Sequence, residues 1–291
     1  MRWILLLIAG WIILVVGLFL GSLSGTIAEQ QFNVSRNIRL FIQGIVMSGL
    51  VVPTILYLYQ RVYRLTGIKP KKPVYSWKKA YHFITGVLLA ITLASLGFII
   101  AYSQGWITIE QWYTPNYWLT ALLINMVIAF LYEALPEELA LRGIIYDVLR
   151  HRFVAWLAVL VQTLLFLSVP IVVNQIQAAV GLAPGSSINL SYIILILCFG
   201  ICLQLLRLWT KSLWTTMGFH LTYLEISRFV ISPNGYDVPP IVTYHESVLG
   251  LGGLFISFCM IIMGGIIVSL LILGVKRFMR KSSNSTQSSL L

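Results

Sequence analysis

Charge is in short supply in this chain. Only 10% of its 291 residues are Asp, Glu, Lys or Arg, whereas about a quarter is usual for a soluble domain. Hydrophobic residues make up 58% and the mean hydropathy is +0.88, which excludes an ordinary water-soluble protein. Cysteine is also scarce. Cys198, Cys202 and Cys259 lie inside apolar runs and form no CxxC, so neither a disulfide framework nor a zinc knuckle is expected. No internal repeat of the kind that builds two-halved transporters is evident.

Long apolar runs are what the chain has in abundance. A helix needs roughly 20 apolar residues to cross the hydrocarbon, and about eight such runs stand near 3–21, 38–60, 81–103, 117–149, 153–174, 189–209, 212–231 and 247–275. The sequence therefore predicts an all-α polytopic membrane protein, a single membrane domain over 1–291 with about eight transmembrane helices. Alternating barrel strands do not fit. The first run is longer than a signal-peptide core and lacks a small-x-small cleavage site, so it is expected to remain as a span. The stretch KSSNSTQSS makes 282–291 a disordered polar tail.

The net charge of +11 invites a nucleic-acid reading, but the positions of the cations argue against it. With an even number of spans and the amino terminus inside, the inner segments hold Arg2; Arg61, Arg64, Lys69, Lys71, Lys72, Lys78 and Lys79; Arg150 and Arg152; Arg207 and Lys211; and Lys276, Arg277, Arg280 and Lys281. The outer segments hold only Arg36 and Arg39. This is the positive-inside bias. It places the chain in the cell membrane with both termini cytoplasmic, and makes lipids, not nucleic acid, its surroundings. The cluster from Arg61 to Lys79 also suits contact with anionic headgroups. Trp106, Trp112, Tyr113, Tyr117 and Trp118 read as an interfacial belt.

Ionisable groups inside spans are costly, and by default they mark function. Two spans carry most of them. The fourth has Glu133, Glu137, Glu138, Arg142 and, nearer its inner end, Asp147; the seventh has His220, Glu225 and Arg228. Pro136 cannot donate its N–H and is expected to kink the fourth helix, giving a new helix start whose positive dipole end suits Glu137 and Glu138. Glu138 and Arg142, four apart, can pair, and the same logic applies to Glu225 and Arg228, three apart. Buried pairs of this kind have a purely structural reading as well as a functional one, and Glu133 and Asp147 fit the structural reading better. Glu137 points about 100° away from Glu138 and has no partner on its own helix, which makes it the carboxylate most suited to chemistry.

These residues carry a resemblance. PEELALRG resembles the EExxxR signature of the CPBP family of intramembrane proteases, which includes the type II CAAX prenyl endopeptidases and the bacteriocin-processing or self-immunity (Abi) proteins. VQTLLFLSVP is similar to the stretch carrying the family's FxxxH motif, and GICLQLLRLWTKSLWTTMGFHLTYLEIS to the one carrying HxxxN. The resemblance covers 117–231, a CPBP-like intramembrane helical core. It implies Glu137 as the general base that activates a water, Glu138 and Arg142 as a supporting pair, and His220 as an oxyanion donor, acting on a membrane-embedded or lipidated peptide. Amide hydrolysis in a membrane needs such a base and such a donor.

Two family positions are replaced. Four residues after Phe166 stands Pro170 instead of histidine, and four after His220 stands Leu224 instead of asparagine. Neither can position a water or an oxyanion, so hydrolysis is expected to be impaired. A catalytic zinc commonly takes three protein ligands, which Glu137, Glu138 and His220 supply poorly; no metal or other cofactor is expected. Pro170 and Leu224 also keep open a second reading, a catalytically inactive member that binds a partner membrane protein as a regulator or self-immunity factor. A third, a small transporter, rests only on span number and buried charge.

Overall fold

Runs of this length become helices because a backbone in hydrocarbon has to satisfy its own N–H and C=O groups. The computed structural model describes residues 2–67, 73–182 and 189–288, with side chains through Met279. In it, α1 (Arg2–Phe32) and α2 (Arg36–Thr66) form a hairpin, followed by α3 (His82–Ser103), strand β1 (Ile107–Trp112) and α4 (Pro115–Arg150). Next come α5 (Ala155–Ala179), α6 (Leu190–Thr210), α7 (213–231), strand β2 (Val242–Glu246) and α8 (255–288).

Among the described residues, seven helices are long and apolar enough to cross a membrane. The eighth that the sequence predicts, α7, forms at the expected place, but its polar residues lower its hydropathy. It has little need of lipid-facing surface, because Leu213 through Leu221 are all buried. Helix α8 runs to Ser288, so it extends into the 282–291 segment read as a disordered tail, whose side chains and last three residues lie outside the described residues.

Successive helices run up and down, which sorts the connections to two ends. At one end Lys79 Nζ donates to the Lys211 carbonyl at 2.7 Å, Lys276 Nζ to the Trp209 carbonyl at 3.0 Å, and Leu213 N to the Val74 carbonyl at 2.9 Å. Trp3 packs edge-on to Phe153 there, with ring centroids 5.8 Å apart. This is the basic end. At the other, β1 and β2 pair antiparallel from Ile107 opposite Glu246 to Trp112 opposite Val242, with a bulge between Ile109 and Gln111. The apolar runs do not predict this small sheet. It ties the α3–α4 connection to the α7–α8 connection.

Small residues bring the helices together, as expected where lipid offers no hydrophobic drive to associate. Gly17 and Gly25 of α1 face Val51 and Gln43 of α2, where an added Cβ would lie 2.4 Å from each. The tightest contact joins α3 and α7: a Cβ on Gly86 would sit 2.1 Å from the Thr215 carbonyl oxygen, and one on Gly218 would sit 2.2 Å from that of Phe83. Backbone therefore touches backbone in both directions, and α7 is set in depth two residues before His220.

Candidate active site

The interruption expected at Pro136 takes the form of widened turns. Phe130–Ala134 and Glu138–Ile145 are π-helical, separated by the short α-helical turn Leu135–Glu137. Such turns occur frequently at functional sites. Here they hold Glu133, Glu138 and Arg142, and another in α7, Ser227–Ile231, holds Arg228.

Glu138 is fully buried, and its Oε1 is the meeting point of the site. It accepts from Arg142 Nη1 at 3.2 Å and is 3.0 Å from His220 Nδ1. A carboxylate this deep is stable only when paired. Arg142, also without exposed surface, lays its guanidinium over the Phe166 ring at 4.1 Å. Gly200 makes room for the Phe166 ring beneath it, since a Cβ there would come within 3.0 Å of that ring and 2.9 Å of Thr163 Cγ2. His220 is 3% exposed and its ring meets Phe199 edge-on at 5.0 Å. With Nδ1–H donated to Glu138, the ring is fixed and Nε2 is the nitrogen left for other partners.

Glu137 lies apart from this triad. It is half-buried, makes no hydrogen bond among the described residues, and with His220 lines a cavity of about 730 Å³ bounded by α4, α5, α6 and α7. Of the four site residues expected from the sequence, two thus reach the cavity, while Glu138 and Arg142 stand behind them. Pro170 and Leu224 line the same cavity, so both replaced positions face the place where their absent polar groups would act.

The second charged pair differs from its expectation. Arg228 Nη2 donates to Glu133 on the cavity wall, not to Glu225. Glu225 turns to α4, where Asn125 Nδ2 donates to its two oxygens at 2.8 and 3.0 Å. The widened turn at Ser227–Ile231 changes the phase of the helix, so residues three apart no longer share a face. Glu133 is accordingly a cavity residue. Asp147 is not: at the basic end it accepts from Arg207 at 2.5 Å and from the Tyr59 hydroxyl at 3.3 Å. Nothing in the sequence pattern marks Tyr192 and Tyr236 as cavity residues; only the polar spacing of Asn174 and Gln177 on α5 hints at a wetted face.

Residues 117–223 match the family described as type II CAAX prenyl endopeptidase Rce1-like. That stretch is similar in sequence to the core of those endopeptidases. No curated protein and no solved structure matches the chain. The matched stretch begins where the motifs place it, covers a little over a third of the chain, and contains Glu137, Glu138, Arg142, Pro170 and His220. It stops one residue short of Leu224, so Glu225 and Arg228 lie beyond it. The membrane-crossing helices make the protein a multi-pass membrane protein, and its 117–223 stretch is similar to that family.

A metal does not fit this site well. His220 already commits Nδ1 to Glu138, Pro170 and Leu224 supply no ligand atom, and among the described residues no group of three His, Cys, Asp or Glu side chains could hold an ion. The three cysteines are free, and Cys202 is buried against Gly265.

Proposed function

We propose that this protein is an intramembrane endopeptidase, slowed by the loss of two polar groups, that cleaves an extended membrane-embedded or lipidated peptide segment in the α4–α7 cavity. The observation that carries the reading is the division of labour among four residues. Glu137 and His220 share one cavity, while the Glu138–Arg142 pair holds the histidine from behind.

In this reading the Glu137 carboxylate takes a proton from water as the water oxygen bonds to the scissile carbonyl carbon. The carbonyl π electrons move to oxygen, and Glu137 then passes its proton to the amide nitrogen as the C–N bond breaks. His220 donates to the oxyanion through Nε2–H. Because Nδ1–H already serves Glu138, only the doubly protonated ring offers that second donor. Arg142 holds Glu138 in place beneath the ring. A missing oxyanion donor typically costs about 10²–10³ in rate, and a missing water-positioning histidine costs comparably, so Leu224 and Pro170 leave a slow enzyme.

Pro170 and Leu224 also support a second reading, a family member that has stopped hydrolysing and binds a membrane partner, as a self-immunity protein would. Terminal peptides of membrane proteins, read by mass spectrometry at matched expression, separate the two. Loss of the same cleavage product in a deletion strain and in Glu137→Gln supports hydrolysis. A phenotype in the deletion strain, with no product depending on Glu137 or His220, refutes it.

A further inference from the structure

The lining of the candidate cavity has a direction. Helix α5 starts at the basic end and leaves it, and its contribution begins at Phe166 and continues to Gln177, two residues from the helix end. Helix α6 runs the opposite way, and its contribution stops at Phe199, near its middle. On α7 the wall begins at His220 and continues past the helix end to Ser232 and Tyr236. At 1.5 Å per residue, Phe166 to Gln177 makes a shaft of about 17 Å. Its floor is Glu137 and His220; its mouth is Gln177, Tyr192, Ser232 and Tyr236.

Below the floor the bundle is closed. Glu138, Arg142, Leu203, Leu206, Leu213 and Thr216 have no exposed surface, so packed protein separates the floor from the basic end. Glu137 is about 20 Å along α4 from Arg150. The mouth and the basic end are therefore opposite ends of the bundle, and the cations gather where a cytoplasmic face would carry them.

We infer that the cavity receives its ligand from the extracytoplasmic face. Resting on the hydrolytic reading for the word substrate, this fixes a class: an extended segment of a secreted or membrane-anchored polypeptide displayed outside, and not the lipidated terminus of a cytosolic protein. Polar mouth residues over apolar walls suit such a segment, with Arg228 and Glu133 partway down to meet its backbone or a charged side chain.

Orientation can be tested without any substrate. In the full chain with Cys198, Cys202 and Cys259 replaced by alanine, single cysteines are introduced as Gln177→Cys and Ser232→Cys at the mouth and Arg152→Cys at the basic end. Each is exposed to a charged, membrane-impermeant maleimide in intact cells and in inverted vesicles. We expect the two mouth positions to label at least tenfold faster in intact cells, and the Arg152 position at least tenfold faster in inverted vesicles. The opposite pattern overturns the inference. A native chain fused at its carboxyl end to a reporter that fluoresces only in the cytoplasm gives an independent readout should the cysteine-free chain fail to accumulate: fluorescence agrees, and its absence with full-length fusion present refutes. The two ideas fail separately. Labelling from the inside, with a Glu137-dependent cleavage product, removes this inference and leaves the peptidase; labelling from the outside, with no such product, removes the peptidase and leaves the orientation.

Discussion

Replacing Glu138 by glutamine tests the arrangement most severely, because the change is nearly isosteric and removes only charge. Glutamine can still accept from His220 through its amide oxygen, so the loss falls on Arg142, whose side chain has no exposed surface and whose only hydrogen bond among the described residues goes to Glu138. Two unit charges about 4 Å apart attract by about 4 kcal/mol at the effective dielectric that reproduces protein data, and removing one partner of a buried pair costs about 3–5 kcal/mol because the other charge stays buried. The expected loss in unfolding free energy for Glu138→Gln is therefore about 3–5 kcal/mol. Adding Arg142→Met removes the stranded charge and keeps similar bulk over Phe166, so the double variant should recover most of the loss while remaining without activity. Unfolding in mixed micelles titrated with sodium dodecyl sulfate reads all three proteins. A Glu138→Gln protein as stable as wild type, or a double variant no better than the single one, would show that Arg142 is not held by this carboxylate and refute the reasoning.

Two further outcomes follow from the packing and the cavity wall. Gly218→Ala places a Cβ about 2.2 Å from the Phe83 carbonyl oxygen, so α3 and α7 must part; the expected cost is about 1–3 kcal/mol in the same micelle titration, whereas Gly49→Ala, with open space around it, should be neutral or better. Restoring the family's polar groups with Leu224→Asn, an oxyanion donor, and Pro170→His, a water-positioning group, should raise the yield of the Glu137-dependent product by about 10²–10³ for the donor and comparably for the histidine; a folded double variant with unchanged yield assigns the cavity to binding.

Much of this architecture was legible in the sequence, because the strongest influences on a membrane chain act locally along it. Span lengths, the cation bias and the Glu138–Arg142 spacing each follow from a few neighbouring residues, and the helices and that pair stand where those residues put them. What escaped involves contacts between distant segments or a change of helical phase. His220 meeting Glu138 joins positions 82 apart. Arg228 could not be placed by a 3.6-residue wheel, since its turn is π-helical, and the simple wheel paired it with Glu225 instead of Glu133. The β1–β2 ribbon joins loops that are remote in sequence and, with only two short strands, leaves a weak local pattern. Helix α7 stands where its apolar run puts it, but that run does not say that its neighbours wrap it so fully that Leu213 through Leu221 are all buried.

The paired glycines of α3 and α7 bear on how a ligand could enter sideways from the bilayer. Backbones in van der Waals contact at two successive points act as a closed seam: a lipid-borne segment cannot slip between these helices unless both contacts separate together, and the bundle loses one of its possible side doors. Lateral passage would have to use another seam, and the apolar groove of about 500 Å³ formed by Phe83, Met126, Phe130 and Trp214, which lies against the sealed one, would be a shelf on the outside of the wall and not a corridor through it.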